Sequence, residues 1–248
     1  MINTNRIGKF YLGAGGIGDC LLLLSTFYDN VEEANVIFLA NSPELIKELL
    51  DFFPKIKSRL VIKNNYNQLL QLYYDKNCIG TGILPKSLSY SAWYKVDIFK
   101  EYRVIKYPKW VELFDIFRIS TNGKKQVTIQ IAGSNIEGEG KQRILTQERL
   151  NEINSEFSDC NIVYLNDANG KPAFDLKTAF RLIRGSDIVV STDSFAKTFS
   201  TLCGIKTIVY DNIYSKEYLS NFKDNIDYGH YIFIFPWETI ELRKPLYN

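Results

Sequence analysis

Histidine is nearly missing from this chain: His230 is the only one among 248 residues. A zinc site built from Cys and His is therefore not expected, and His230 falls in none of the sites read below. The four cysteines, Cys20, Cys78, Cys160 and Cys203, stand singly in or beside apolar runs with no C-x-x-C pair, which reads as buried free thiols and a reducing, cytoplasmic setting. Long hydrophobic runs are also missing. The longest, near residues 20–24, is far too short to span a bilayer, and MINTNRIGKF lacks the apolar core of a signal peptide. A large excess of either sign of charge is absent too. Thirty Lys plus Arg against 28 Asp plus Glu leave +2, so any surface for an anionic partner must be local.

What is present is an alternation of apolar runs and amphipathic segments. KFYL (9–12) and NVIFLA (35–40) read as strands, with a helix after the first beginning at Gly18 or Asp19. Ser42 and Pro43 open a second helix whose Leu45, Ile46, Leu49, Leu50 and Phe53 recur on one face. RLVI (59–62) and NQLLQLYY (67–74) continue the pattern, which turns irregular and aromatic over residues 80–118. STNGKK (120–125) is short, polar and glycine-bearing, a candidate linker. Beyond it come strand VTIQI (127–131), a helix capped by Thr146, strand NIVYL (161–165), helix FDLKTAFRLIR closed by Gly185, strand DIVV (187–190), a helix from Asp193 or Ser194 ended by Gly204, and strand KTIVY. Such alternation predicts parallel sheets covered on both faces, in two tandem Rossmann-like domains at 1–119 and 126–235. The tail, 236–248, carries Trp237, Ile240 and Leu242 and is expected to pack back on the first domain.

Gly13, Gly15 and Gly18 in GAGGIGD (13–19) form a G-x-G-x-x-G between a strand and a helix. A dinucleotide site of this kind needs an acidic residue at the end of the second strand, and that strand ends in Ala40-Asn41-Ser42. Asp19 follows the third glycine, where a pyrophosphate would have to approach, and two anions there repel each other. A carboxylate at a helix N-terminus is kept ionised by the helix dipole, and Gly15, Gly16 and Gly18 let a bulky ligand come close, which makes Asp19 a candidate general base. The plain structural alternative is that Asp19 caps its helix and the glycines make a tight turn.

STDSF (191–195) again puts polar residues at a strand end and a helix start, where α/β sheets bind ligands. Backbone N–H groups from Ser194 to Lys197 suit a phosphate, with the Lys197 side chain nearby. Asp193 either meets ligand hydroxyls or caps the helix. The loop AGSNIEGEGKQR offers Gly133, Ser134, Gly138 and Gly140, and delivers Lys141 and Arg143.

Taken together, Gly18-Asp19 before an apolar helix, Ala132-Gly133-Ser134 with Lys141, and Asp193-Ser194-Phe195-Ala196-Lys197-Thr198 resemble glycosyltransferase family 9, the heptosyltransferase-like enzymes. In that family Arg-Trp follows the lysine, where Gln142-Arg143 stands here; Phe195 occupies a family Gly position and Thr198 a family His position. The resemblance implies a GT-B-like α/β fold, with two Rossmann-like domains whose parallel sheets face a central cleft. It further implies an inverting transfer from a nucleotide-diphosphate sugar as co-substrate, with no other cofactor. Asp19 is then the catalytic base, and Gly133, Ser134, Lys141, Asp193, Ser194 and Lys197 bind the donor. No D-x-D motif is present, which favours metal independence.

Residues 86–110 hold six basic and two acidic residues interleaved with aromatics. Trp93, Tyr94, Lys95 and Arg103 are accordingly candidates for an anionic acceptor, unless the stretch is an ordinary amphipathic surface. Two acceptors stay open: an envelope or lipopolysaccharide glycan, or a hydroxymethylated base in DNA if the chain is a compact bacteriophage member working in the host cytoplasm. A monomer is expected. A nucleotide- or sugar-binding module without turnover, or an NAD-binding Rossmann protein, are the readings of other classes.

Overall fold

The computed structural model describes residues 9–18, 20–21, 24, 34–40, 42–58, 60–63, 78–80, 108–119, 122–133, 143–192, 194–210 and 240–243. The chain divides into two units, Met1–Val104 with Asn225–Ile234, and Ile105–Asp224 with Phe235–Asn248.

In the first unit, β1 (Lys9–Gly15), β2 (Ala34–Ala40), β3 (Leu60–Lys63) and β4 (Cys78–Gly80) form a parallel sheet in the order β3-β2-β1-β4. β1 outruns the apolar KFYL that announces it. It continues through Gly13 and Gly15, which pair with Phe38 and Ala40, because a ladder needs only backbone donors and acceptors. α1 (Pro43–Asp51) starts where Ser42 and Pro43 predict and buries Ile46, Leu49 and Leu50, with Phe53 beneath its end. Leu45, expected on the same face, is exposed, since it lies one step outside the i, i+3, i+4, i+7 stripe that starts at Ile46. The short α2 (Pro54–Lys57) follows directly and buries Ile56.

In the second unit, β5 (Gln126–Gln130), β6 (Asn161–Tyr164), β7 (Ile188–Ser191), β8 (Lys206–Tyr210) and β9 (Ile240–Arg243) are all parallel, in the order β6-β5-β7-β8-β9. Residues 240–243 of the tail therefore extend the second sheet, pairing along β8, where the sequence reading sent that segment to the first domain. Ionic contacts hold β9 in place: Arg243 forks onto Glu156, reaches Glu241 at 2.9 Å through Nε and donates to the Tyr210 hydroxyl at 2.9 Å.

The connecting helices are α3 (Gln147–Glu156), α4 (Leu176–Arg184) and α5 (Phe195–Leu202). Gly204, at φ +69°, ends α5 in the left-handed conformation that glycine adopts without strain. β5 is buried along its whole length, and its alternation sorts two kinds of core. Val127, Ile129 and Ile131 join Val190, Ile208 and Tyr210 against Leu150, Ile153 and Phe157 of the α3 side. Gln126, Thr128 and Gln130 point the other way, to hydrogen-bond partners on the α4 and α5 side.

That second side is closed by an aromatic cluster. Phe180 and Phe199 meet at 4.4 Å between centroids, Phe114 lies 4.7 Å from Phe180, and Trp110 stacks at 6.1 Å on Phe199. Trp110 and Phe114 come from residues 108–119, a 3₁₀ turn and extended segment bound to α4: Phe117 N–H donates to Arg181 O at 3.1 Å and Arg184 donates to Phe114 O. Gly185 is required by this packing rather than by its φ. A Cβ there would sit 2.1 Å from Phe117 O.

Candidate functional site

Each sheet has a topological switch point, the place where successive connections leave to opposite sides and open α/β sheets bind ligands beyond their strand ends. In the first sheet that place is the end of β1, flanked by β2 and β4. The turn begins at Gly16, after Gly15 has completed the ladder, and Cys20 N–H donates to Gly16 O at 3.1 Å as the helix starts. Cys20, Leu21 and Leu24 anchor that helix, all fully buried. A Cβ on Gly16 would meet nothing within 4 Å, and its φ is not in the left-handed region. Neither backbone strain nor a neighbour in the protein accounts for glycine there. Gly18 is partly exposed on the same turn; Asp19 lies outside the described residues.

In the second sheet the switch point is the end of β5, between β6 and β7. The sequence-predicted Gly133 is buried just past it, its N–H donating to Arg143 O at 2.8 Å, while Leu145 N–H donates to Ile131 O at 2.8 Å. Both ends of the glycine loop are thus fastened. Ser134, Lys141 and Asp193 lie outside the described residues, as do Trp93, Tyr94, Lys95 and Arg103.

Ser194, one of the two positions at which the sequence starts this helix, sits at the N-cap of α5, where the capping alternative named Asp193, but it does not cap. Thr146 accepts from Arg149 N–H and Asp175 from Thr178 N–H at the starts of α3 and α4, whereas the Ser194 hydroxyl makes no such bond. It turns inward to Gln130 Oε1, 3.0 Å away, and lies 2.7 Å from Ser191 Oγ. The first-turn N–H groups of α5, which have no intrahelical acceptor, are left by Ser194 for other partners. Lys197, partly exposed, is one turn into the helix.

Two residues that the sequence reading passed over hold this edge together. Gln130, buried at the end of β5, donates through Nε2 to Ala132 O at 3.1 Å while accepting from Ser194. Asn166, buried just after β6, accepts Ile131 N–H at 2.8 Å and Ala132 N–H at 3.2 Å through Oδ1, and donates to Ala132 O at 2.7 Å. The signal was a polar carboxamide at the end of each apolar run, VTIQ and NIVYLN. Beside them Thr192, 1% exposed, buries a hydroxyl that has no partner among the described residues.

The two departures from the family pattern have structural occupations. Phe195 meets Phe180 edge-on at 5.6 Å between centroids, and Thr198 is buried with its hydroxyl directed at Ser194 O. Among the cysteines, Cys20 is buried, and burial pushes the Cys203 thiol up to about 12. Among the described residues no three His, Cys, Asp or Glu side chains gather as a metal site, and no helix is long and apolar enough to cross a membrane.

No protein-family model and no curated protein matches the chain. Solved structures do. The ADP-heptose lipopolysaccharide heptosyltransferase II of E. coli aligns over 95% of this chain and 90% of its own, at 10% identity and a TM-score of 0.50. A Listeria monocytogenes structure assigned as a UDP-N-acetylglucosamine 2-epimerase aligns over 87% and 82%, at 11% identity and 0.50. A glycosyl transferase of family 9 from Veillonella parvula DSM 2008 aligns over 97% and 88%, at 11% identity and 0.49. The likeness to the first two, together with the two parallel sheets, gives this chain the α/β fold of the GT-B class.

Proposed function

We propose that this protein is a glycosyltransferase that moves a sugar from a nucleoside-diphosphate sugar to an acceptor hydroxyl. The observation that carries the reading is the end of the second sheet. There, the start of α5 and the Ala132-Gly133 turn meet through Gln130, and the N-cap hydroxyl is turned away from the helix. Such a helix start suits the diphosphate of a donor. The two solved structures that share the fold carry names with a nucleotide-linked sugar, ADP-heptose in one and UDP-N-acetylglucosamine in the other. The Gly-Asp and Asp-Ser stretches resemble family 9.

In the mechanism that follows, Lys197 and Lys141 offset charge growing on the leaving diphosphate, with no metal required. Asp19, from the first unit, takes the acceptor's hydroxyl proton as its oxygen bonds to the anomeric carbon. The bond from that carbon to the diphosphate oxygen breaks, and attack from the opposite face inverts the configuration. A Cβ on Gly16 would meet open space, which leaves room on that turn for the reacting sugar or the acceptor. The acceptor is anionic, either an envelope glycan or a hydroxymethylated base in DNA, met by the aromatic and basic stretch at 86–110.

The test begins with thermal shifts against ADP-, UDP-, GDP- and CDP-linked sugars, with NAD and NADP alongside. A ligand bound to the native state raises the melting temperature. One sugar nucleotide is expected to stabilise the protein and NAD is not. Transfer from that donor is then measured on core oligosaccharide and on hydroxymethylated DNA. Activity that falls steeply with salt selects the DNA. Asp19→Ala is expected to lose ~10²- to 10⁴-fold in rate while remaining folded; transfer near the wild-type rate removes Asp19 from the role of base. Donor binding with neither transfer nor donor hydrolysis makes the protein a binding module.

A further inference from the structure

The hydrogens at the end of β5 can be counted. Ala132 O only accepts, so the Gln130 carboxamide must turn Nε2 toward it and Oε1 toward Ser194. Ser194 must then spend its one hydroxyl hydrogen to satisfy Gln130. Ser191 has one hydrogen as well, and two oxygens within its reach, Thr192 O and Ser194 Oγ, each at 2.7 Å. Three contacts share two hydrogens. With Ser194 committed to Gln130, its oxygen has no hydrogen left for a phosphate, so an anion at α5 is met by N–H groups and not by this hydroxyl.

Gln130 thereby bridges two pieces of backbone beyond the last rung of the β5–β7 ladder. One is the Ala132-Gly133 turn, which Asn166 holds from its other side; the other is the start of α5. We propose that Gln130 is a positioning residue of the nucleoside-diphosphate site, locking the Ala132-Gly133 turn and the α5 N-terminus into one frame through Ala132 O and the Ser194 hydroxyl. The inference rests on the donor reading above. Freed from Gln130, the Ser194 hydroxyl is able to turn back and cap α5, where it competes with the diphosphate for the same N–H groups. Loss of Gln130 therefore acts on nucleotide affinity beyond any loss of stability.

The experiment is calorimetric titration of ADP, UDP, GDP and CDP into wild type, Gln130→Met, Ser194→Ala and the double variant, with melting temperatures for each. Thr128→Val serves as the control, because Thr128 is a buried polar residue on the same strand and the same side, bonded to Ser186 at the opposite end. Gln130→Met is expected to weaken the diphosphate that binds wild type by tenfold or more. The double variant is expected to bind at least as well as Gln130→Met alone, since removing the Ser194 hydroxyl also removes the competing cap. Thr128→Val is expected to melt lower with its Kd within twofold of wild type. If Gln130→Met is not folded, Gln130→Asn is read in its place; it adds no charge, is one methylene too short to span Ala132 O and the Ser194 hydroxyl together, and is likewise expected to weaken binding. A Kd within twofold of wild type in the Gln130 variant overturns the inference, as do additive losses in the double variant or equal weakening by Thr128→Val. Wild type that binds none of the four overturns the donor reading, and the inference with it.

Discussion

The two ends of the second sheet are built from the same materials and finished differently. At the N-terminal end, Gln126 donates through Nε2 to Leu182 O at 3.1 Å and accepts Ile119 N–H at 2.9 Å. Thr128 and Ser186 lie 2.5 Å apart and Ser186 donates on to Leu182 O at 2.8 Å, so two hydroxyl hydrogens serve two contacts. Asp187 accepts Gln126 N–H at 2.8 Å and takes Arg118 in a two-pronged pair at 3.1 Å. At the C-terminal end the Ser191 and Ser194 hydroxyls are one hydrogen short, the Thr192 hydroxyl has no partner among the described residues, and a helix begins without its side-chain cap. An unsatisfied buried polar group costs ~1–3 kcal/mol. The N-terminal end is finished for stability; the C-terminal end is left open where α/β sheets bind ligands.

Mutations at the closed end should therefore reach melting temperature and spare binding. The largest effect is expected from Asp187→Ala, which strips an acceptor from the buried Gln126 and a partner from Arg118; ~2–3 kcal/mol of stability should be lost in urea unfolding. Gly185→Ala should follow at ~1–3 kcal/mol, because its Cβ would press on the Phe117 carbonyl and displace the segment carrying Phe114 and Trp110. A smaller pair compares caps directly. Asp175→Ala should cost ~1 kcal/mol, the loss of a working N-cap, in any background, whereas the cost of Ser194→Ala comes from stranding Gln130 Oε1 and should shrink in the Gln130→Met background. A Ser194→Ala loss unchanged by Gln130→Met would erase the contrast between the helices.

Acid supplies a further test. Burial raises the Asp187 carboxyl, but the Gln126 N–H and the Arg118 guanidinium outweigh it and hold it below its ordinary range. Thr178, through its backbone N–H and then its hydroxyl, holds Asp175 low in the same way. A carboxyl depressed in the folded state stabilises fully above its unfolded value and loses that contribution as pH falls through the folded one. Stability should accordingly fall on the acid side of the carboxylate range, and Asp187→Ala and Asp175→Ala should each flatten the fall, as read from melting temperature against pH.

Much of this architecture was legible in the sequence because hydrophobic period and caps are local signals. Thr146 before α3, Pro43 at the start of α1 and Gly204 after α5 each stand where the pattern put them, while the Ser42 hydroxyl, at its expected N-cap position, makes no cap bond. Less legible were features set by neighbours distant in sequence. β1 runs on through its glycines because β2 lies alongside, and residues 240–243 join the second sheet because β8 offers an edge. At the candidate site, loop and helix-start patterns single out Gly133 and Ser194, both of which lie at the end of the second sheet. Gln130 and Asn166 were missed, since a carboxamide's role depends on which carbonyl, N–H or hydroxyl it faces across 2 to 64 residues of chain.

Hydrogen exchange, followed residue by residue with and without the stabilising sugar nucleotide, puts the central claim to its most direct test. The account predicts added protection at residues 131–133 and 195–198, at the open end, and no change at 126–128 and 186–188. Protection that appears equally at both ends, or fails to appear at 195–198 while the sugar nucleotide is bound, would contradict it.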